Sequence, residues 1–213
     1  MSCTDLQHLL WRHHWIAECH VVTHPVDNVP AALTLLNADG IAAFRTQGRA
    51  FVLKMLKTYL AEKKQSTTVI PCYWHLSAFL PGYSQAQVRC KSEHFWANAL
   101  DEPIWLTHQQ QGETWGFNAI VPLELKFFVG HFPAFPLVPG AVELQWIMGL
   151  IRQYCGVRQP VLRFDNLKFQ KFLRPNDSLE ITLKREQEKH RVRFQLMTEG
   201  ETCASGWGVF HAE

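Results

Sequence analysis

The chain lacks several features that would place it at once. No apolar run approaches the roughly 20 residues needed to cross a bilayer as a helix. The first fourteen residues, MSCTDLQHLLWRHH, lack the charged-then-apolar layout of a secretory signal. No CxxC pair occurs: Cys3, Cys19, Cys72, Cys90, Cys155 and Cys203 lie far apart, as expected of a reduced, cytoplasmic protein with free thiols. Charge of one sign is also missing. Lys and Arg total 21 against 19 Asp and Glu, a net of +2, and the cations are scattered, which argues against a nucleic-acid binder. Eleven His raise the question of metal, but the closest groupings (His13 with His14, Cys72 with His75, Cys90 with His94) do not repeat into four tetrahedral ligands. No metal and no cofactor is expected. There is no internal repeat and no low-complexity tract.

What is present is length and bulk. The 213 residues suffice for one large domain or two small ones, and eight Trp with fourteen Phe supply core and pocket material. The polar stretch from Gly82 to Pro103 is the best boundary, giving an expected module over 1–94 and a second domain over 101–213. In the first, Leu6, Leu9 and Leu10 fall on one face of a helix over Asp5–Trp11. Ile16–Val22 and Ala31–Leu36 read as strands, and Asn37-Ala38-Asp39-Gly40 as a turn. Phe51–Leu60 reads as an amphipathic helix burying Val52, Met55, Leu56 and Tyr59. Val69-Ile70-Pro71 and Tyr73–Leu76 suggest a further strand. The order is a small α+β module.

Two of its stretches, His14-Trp15-Ile16-Ala17-Glu18-Cys19-His20-Val21-Val22 and Leu80-Pro81-Gly82-Tyr83-Ser84-Gln85-Ala86-Gln87, resemble the C-terminal lid domain of acyl-adenylate-forming ligases. The catalytic Lys of that family falls on Gln87, and the large nucleotide-binding domain has no counterpart here. The resemblance therefore implies a relic or docking module, not an ATP-dependent ligase.

In the second domain, Ile104–Thr107 and Trp115–Val121 look like strands joined at Gln109–Gly112. Between Gly130 and Gly140, three Pro and the two Gly impose an extended, rigid loop. Ala141–Ile151 is apolar on nearly every side and reads as a buried helix. Strands follow over Val161–Phe172, Ser178–Lys184, Arg191–Met197 and Cys203–Phe210, with turns at Arg174–Asp177 and Glu199–Glu201. A loop, one buried helix and several antiparallel strands describe a sheet wrapped round a helix, so the fold class expected overall is α+β.

The stretch Phe128-Val129-Gly130-His131-Phe132-Pro133-Ala134-Phe135-Pro136-Leu137-Val138-Pro139-Gly140 resembles the signature of hot-dog 3-hydroxyacyl-carrier-protein dehydratases, with the aryl-polyene branch most similar. Arg174-Pro175-Asn176-Asp177-Ser178-Leu179 resembles that family's later turn. Dehydration of a 3-hydroxyacyl thioester needs a base for a weakly acidic proton beside the carbonyl, and a neutral imidazole suits the task near pH 7. His131 is the expected base. Negative charge on the thioester oxygen can be met by backbone N–H groups at a helix start, where the resemblance places Gly140. Phe132, Phe135, Leu137, Trp146 and Met148 are candidates for an acyl tunnel.

One position departs from the family. Its acid lies fourteen residues after the His, and here that residue is Gln145, which can orient a hydroxyl but is no useful acid. Glu143 is two residues away, about 200° round a helix, and is expected to face away. Three readings follow: a carrier-protein dehydratase or hydratase, a degenerate acyl-thioester-binding or heteromeric dehydratase subunit, and a thioesterase with Gln145 positioning water. The resemblance further implies a homodimer and an acyl carrier protein partner, with Lys168, Lys171 and Arg174 as candidate contacts.

Overall fold

The structure, a computed structural model, describes residues 3–63, 70–78, 100–157 and 159–211. It divides into two compact units, each non-contiguous in sequence: Met1–Asp101 with Pro122–Pro136, and Glu102–Val121 with Leu137–Glu213.

The first unit runs α1 (Cys3–Trp11), β1 (Ile16–Thr23), β2 (Pro30–Leu36), α2 (Ala38–Glu62) and β3 (Tyr73–Ser77). Its three-stranded sheet has β2 in the middle, antiparallel to β1 and parallel to β3. The parallel pair requires a long crossover, which α2 provides. The turn expected at Asn37–Gly40 is instead the start of α2. The Asn37 side chain accepts the Gly40 N–H at 3.1 Å, capping the helix. Asn serves turns and N-caps by the same side-chain hydrogen bonding, so this tetrapeptide fits both roles. The helix buries Phe44, Val52, Leu56 and Leu60. Met55 is 38% exposed, so the buried stripe lies round from the expected Met55–Tyr59 edge. These side chains join Leu6, Leu10, Val21, Ala32, Trp74 and Leu76 in one apolar cluster. Val69 and the lid-like stretch Leu80–Gln87 lie outside the described residues, as do Cys90 and His94.

α2 is broken at Gly48, whose φ of 79° and ψ of 174° are not helical. That conformation is open essentially to glycine alone. Space imposes the same choice, because a Cβ there would lie 1.7 Å from the Pro133 carbonyl oxygen.

The second unit contains β4 (Ile104–Gln111), β5 (Thr114–Ile120), α3 (Gly140–Tyr154), β6 (Val161–Phe169), β7 (Ser178–Glu186), β8 (Arg191–Thr198) and β9 (Glu201–Phe210). They form one antiparallel sheet in the order β4-β5-β7-β8-β9-β6. Strand alternation is clean on β7, where Leu179, Ile181 and Leu183 point inward. β4 continues through Gln111, past the expected turn, and reverses at Gly112-Glu113. Gly112, with φ +56°, supplies the left-handed residue of this two-residue hairpin. α3 buries Val142, Trp146, Ile147, Leu150 and Ile151, and its Tyr154 ring meets Phe117 of β5 at 4.9 Å. A six-stranded antiparallel sheet with one helix on its inner face is the hot-dog plan. Among the described residues, no helix is long and apolar enough to cross a membrane.

Candidate active site

The motif segment is held at both ends before its chemistry begins. In the second unit, the Val121 N–H donates to the Asp177 carbonyl at 3.0 Å, and the Val121 carbonyl accepts the Asn176 N–H at 2.8 Å. The Asp177 carboxylate, 6% exposed, accepts the Arg174 N–H at 2.7 Å and closes that turn on itself. The Val138 N–H donates to the Leu173 carbonyl at 2.9 Å. The Arg174–Asp177 landmark thus clamps the end of β5 and the return of the loop.

Between these clamps, Pro122–Pro136 belongs to the first unit. Glu124 is its anchor there. One carboxylate oxygen accepts from Arg49 Nε, and the other lies 3.0 Å from His75 Nδ1. Arg49 also donates through Nη2 to the Trp74 carbonyl at 2.8 Å. Lys126–Val129 makes a 3₁₀ turn, and the N–H groups of Gly130 and His131 both donate to the Phe127 carbonyl, at 3.2 and 3.1 Å. His131 is therefore fixed through its backbone while its side chain is exposed. The ring of Phe132 lies 5.7 Å from the imidazole. Phe132 and Phe135 exchange backbone hydrogen bonds across Pro133-Ala134, at 3.4 and 2.9 Å, and their side chains are 55% and 48% exposed.

Leu137 returns to the second unit, where it and Trp146 lie in the apolar interior, 9% and 4% exposed. α3 begins at Gly140 without a side-chain cap on its first turn, because its N-cap residue is Pro139. Gly140 lies under an aromatic lid: a Cβ there would fall 2.7 Å from Cε1 of Phe169. Met148 is partly buried. Gln145, the residue at the family's acid position, is on the exposed face of α3.

Glu143 lies on the opposite face, inside the unit and 3% exposed. Its Oε2 has no hydrogen-bond partner, and burial pushes its carboxyl up to about 8. It is thus mostly neutral at pH 7. Burial also pushes the neighbouring Cys203 thiol up to about 12, helped by the charge of Glu143. The 200° offset anticipates the separation of the two side chains but not that the carboxyl would be enclosed.

Of the candidate carrier contacts, Lys168 is exposed, while Lys171 is engaged by Glu199 and Glu201. Among the described residues no group of three His, Cys, Asp or Glu is arranged to hold a metal. Sequence reasoning missed Gly48 and the Arg49–Glu124–His75 network. The one signal for the former is a Gly inside a long helical pattern, and the latter joins residues too far apart in sequence for any local pattern to register.

A model of the ApeI-like dehydratase family matches residues 107–207, a stretch that holds both the His131 loop and the Arg174–Asp177 turn. No curated protein matches the chain. Among solved structures, the dehydratase heterocomplex ApeI:P from Xenorhabdus doucetiae is 24% identical with a TM-score of 0.48, over 50% of this chain and 95% of that one. An uncharacterised protein from Erwinia carotovora subsp. atroseptica is 27% identical with a TM-score of 0.47, over 52% and 96%. The dehydratase domain of the CurJ module of curacin polyketide synthase is 13% identical with a TM-score of 0.41, over 54% and 44%. The family match, the motif, the turn and the hot-dog sheet together make residues 107–207 similar to the ApeI-like dehydratases.

Proposed function

We propose that the chain dehydrates a 3-hydroxyacyl thioester presented by an acyl carrier protein, with His131 as the base. The observation that carries this reading is the presentation of His131: an exposed imidazole on a loop fixed by backbone bonds, within a segment matching a dehydratase family. The neutral imidazole removes the proton beside the thioester carbonyl. Those C–H electrons form the new double bond, and the hydroxyl leaves with a proton as water. N–H groups at the uncapped start of α3, Gly140 foremost, are suited to the charge that develops on the thioester oxygen. With Gln145 unable to supply the leaving proton, the imidazolium formed in the first step returns it, while the carboxamide orients the departing hydroxyl. Phe132 and Phe135 offer apolar surface to the acyl chain beside His131.

A homodimer is part of the proposal. β6 is one edge of the sheet, and Leu162, Phe169 and Phe172 on and beside it are 49%, 50% and 66% exposed in the single chain. An edge strand with exposed large apolar side chains is a surface that proteins normally cover.

A second reading, a degenerate member that binds acyl thioesters or completes a heteromeric enzyme, is favoured by Gln145 itself, because loss of a general acid typically lowers rate by about 10²–10⁴. Incubating a 3-hydroxyacyl carrier protein with the native chain, His131→Ala and Gln145→Glu, and following the mass of the carrier, separates the two. The proposal expects loss of one water by the native chain and none by His131→Ala. An inert native chain with activity appearing in Gln145→Glu overturns it in favour of the second reading. Release of free acid instead of enoyl product would make the protein a thioesterase.

A further inference from the structure

The first unit carries a half-open cavity of about 1100 Å³, just above the size of ordinary ligand sites. One wall is a single face of α2 beyond its break: Ala50, Leu53, Lys54, Lys57, Thr58 and Ala61 recur at the three- and four-residue spacing of one helical stripe. Leu123, Leu125 and Phe128, from the segment leading to His131, also line the cavity, as does Trp74. All four are at least nine-tenths buried and form the apolar floor of the cavity, with only their edges presented to it.

The charges sort into engaged and spare. Glu124, the acid in the lining, is taken up by Arg49 and His75, and Lys126 is held by Asp101 at 2.8 Å. Lys54 and Lys57 have no acidic partner among the described residues, and both border the cavity from the same side of α2. A large, half-open and mainly apolar space with two ammonium groups at its border is matched to a molecule with a long apolar body and one anionic end.

We propose that this cavity binds an amphiphilic anion, an acyl or alkyl chain ending in a carboxylate or phosphate, with the chain against Leu123, Leu125 and Phe128 and the head group between Lys54 and Lys57. Val129, Pro133 and Pro136 of the His131 loop also line the cavity, so the site adjoins the loop to which dehydration is assigned while giving the N-terminal module a binding task of its own.

Calorimetric titration of the full chain with dodecanoate, dodecyl phosphate and dodecanol tests it. The two anions are expected to bind, and dodecanol at least about tenfold more weakly, a difference of about 1.4 kcal/mol. The relative affinity of the two anions identifies the preferred head group. Lys54→Glu combined with Lys57→Glu is expected to weaken both anions by at least about tenfold, since repulsion replaces attraction on an accessible face. Ala61→Trp, an exposed position whose ring would fill the border of the cavity, is expected to weaken all three ligands and keeps the test open if the charge reversal disturbs folding. Absence of anion binding overturns the proposal, as does binding that neither variant alters, which would put the ligand elsewhere in the molecule.

Discussion

Glu143 and Gln145, two residues apart on α3, occupy opposite environments: the carboxyl is sealed inside the sheet with an unpartnered oxygen, and the amide faces out. The acid of this helix is therefore withheld from the exposed face, where Gln145 stands.

This arrangement has a pH signature. The folded chain holds the Glu143 proton up to about pH 8, while the unfolded chain releases it near the ordinary value of 4.5. Between those values the folded state binds one more proton, so stability falls as pH rises. Below about 4.5 both states are protonated, and this group's contribution to stability is fully present. At about 1.4 kcal/mol per unit, the loss by pH 7 is of order 3 kcal/mol. Urea unfolding at pH 5, 6, 7 and 8 should show that slope in the native chain, and a shallower one in Glu143→Gln, which has no proton to lose. Equal slopes would mean that the carboxyl ionises in place with solvent access.

At Gly48 the expected damage is steric. Gly48→Ala must accommodate both a positive φ and a Cβ overlapping the Pro133 carbonyl. A cost of about 2–4 kcal/mol is expected from backbone strain and overpacking together. Because Pro133 is two residues beyond His131, dehydration should fall more steeply than stability. Chemical denaturation paired with the mass assay checks this. A variant with native stability and native turnover would show that the loop shifts aside at no cost.

The exposed edge gives a third expectation. Leu162→Asp with Phe172→Asp should leave the fold intact, since both side chains are largely in solvent in the single chain. It should convert a dimer to a monomer in sedimentation equilibrium. A native chain that sediments as a monomer would remove the dimer from the proposed function.

What was legible in the sequence was whatever is written locally. The Gly130–Gly140 loop, the Arg174–Asp177 turn and strands β5, β7 and β8 are coded by proline, glycine and period-two alternation over short windows, and they lie close to where those signals put them. By contrast β6, expected to reach Phe172, ends at Phe169. The ends of elements were less legible. Asn37 has the same chemistry in a turn and at an N-cap, and Gln109 to Gln111 carry no apolar signal although they pair with β5. Least legible were partnerships across long separations. Nothing near Glu124 announces Arg49, 75 residues earlier, and nothing near Pro133 announces that Gly48 must lack a side chain. The burial of Glu143 was hidden for a different reason. A carboxyl on an apolar helix gives no local sign of whether its face of the helix will be covered.

The assignment of Pro122–Pro136 to the first unit changes what counts as a separable piece of this protein. A gene cut near codon 101 would look like a clean excision of the dehydratase half, yet it would strand the histidine loop without Gly48, Arg49 and His75, the residues that seat it. The two halves trade a segment, so any rearrangement that separates them must replace that seat. Selection can therefore act on the N-terminal module through the C-terminal chemistry even where the module has no reaction of its own.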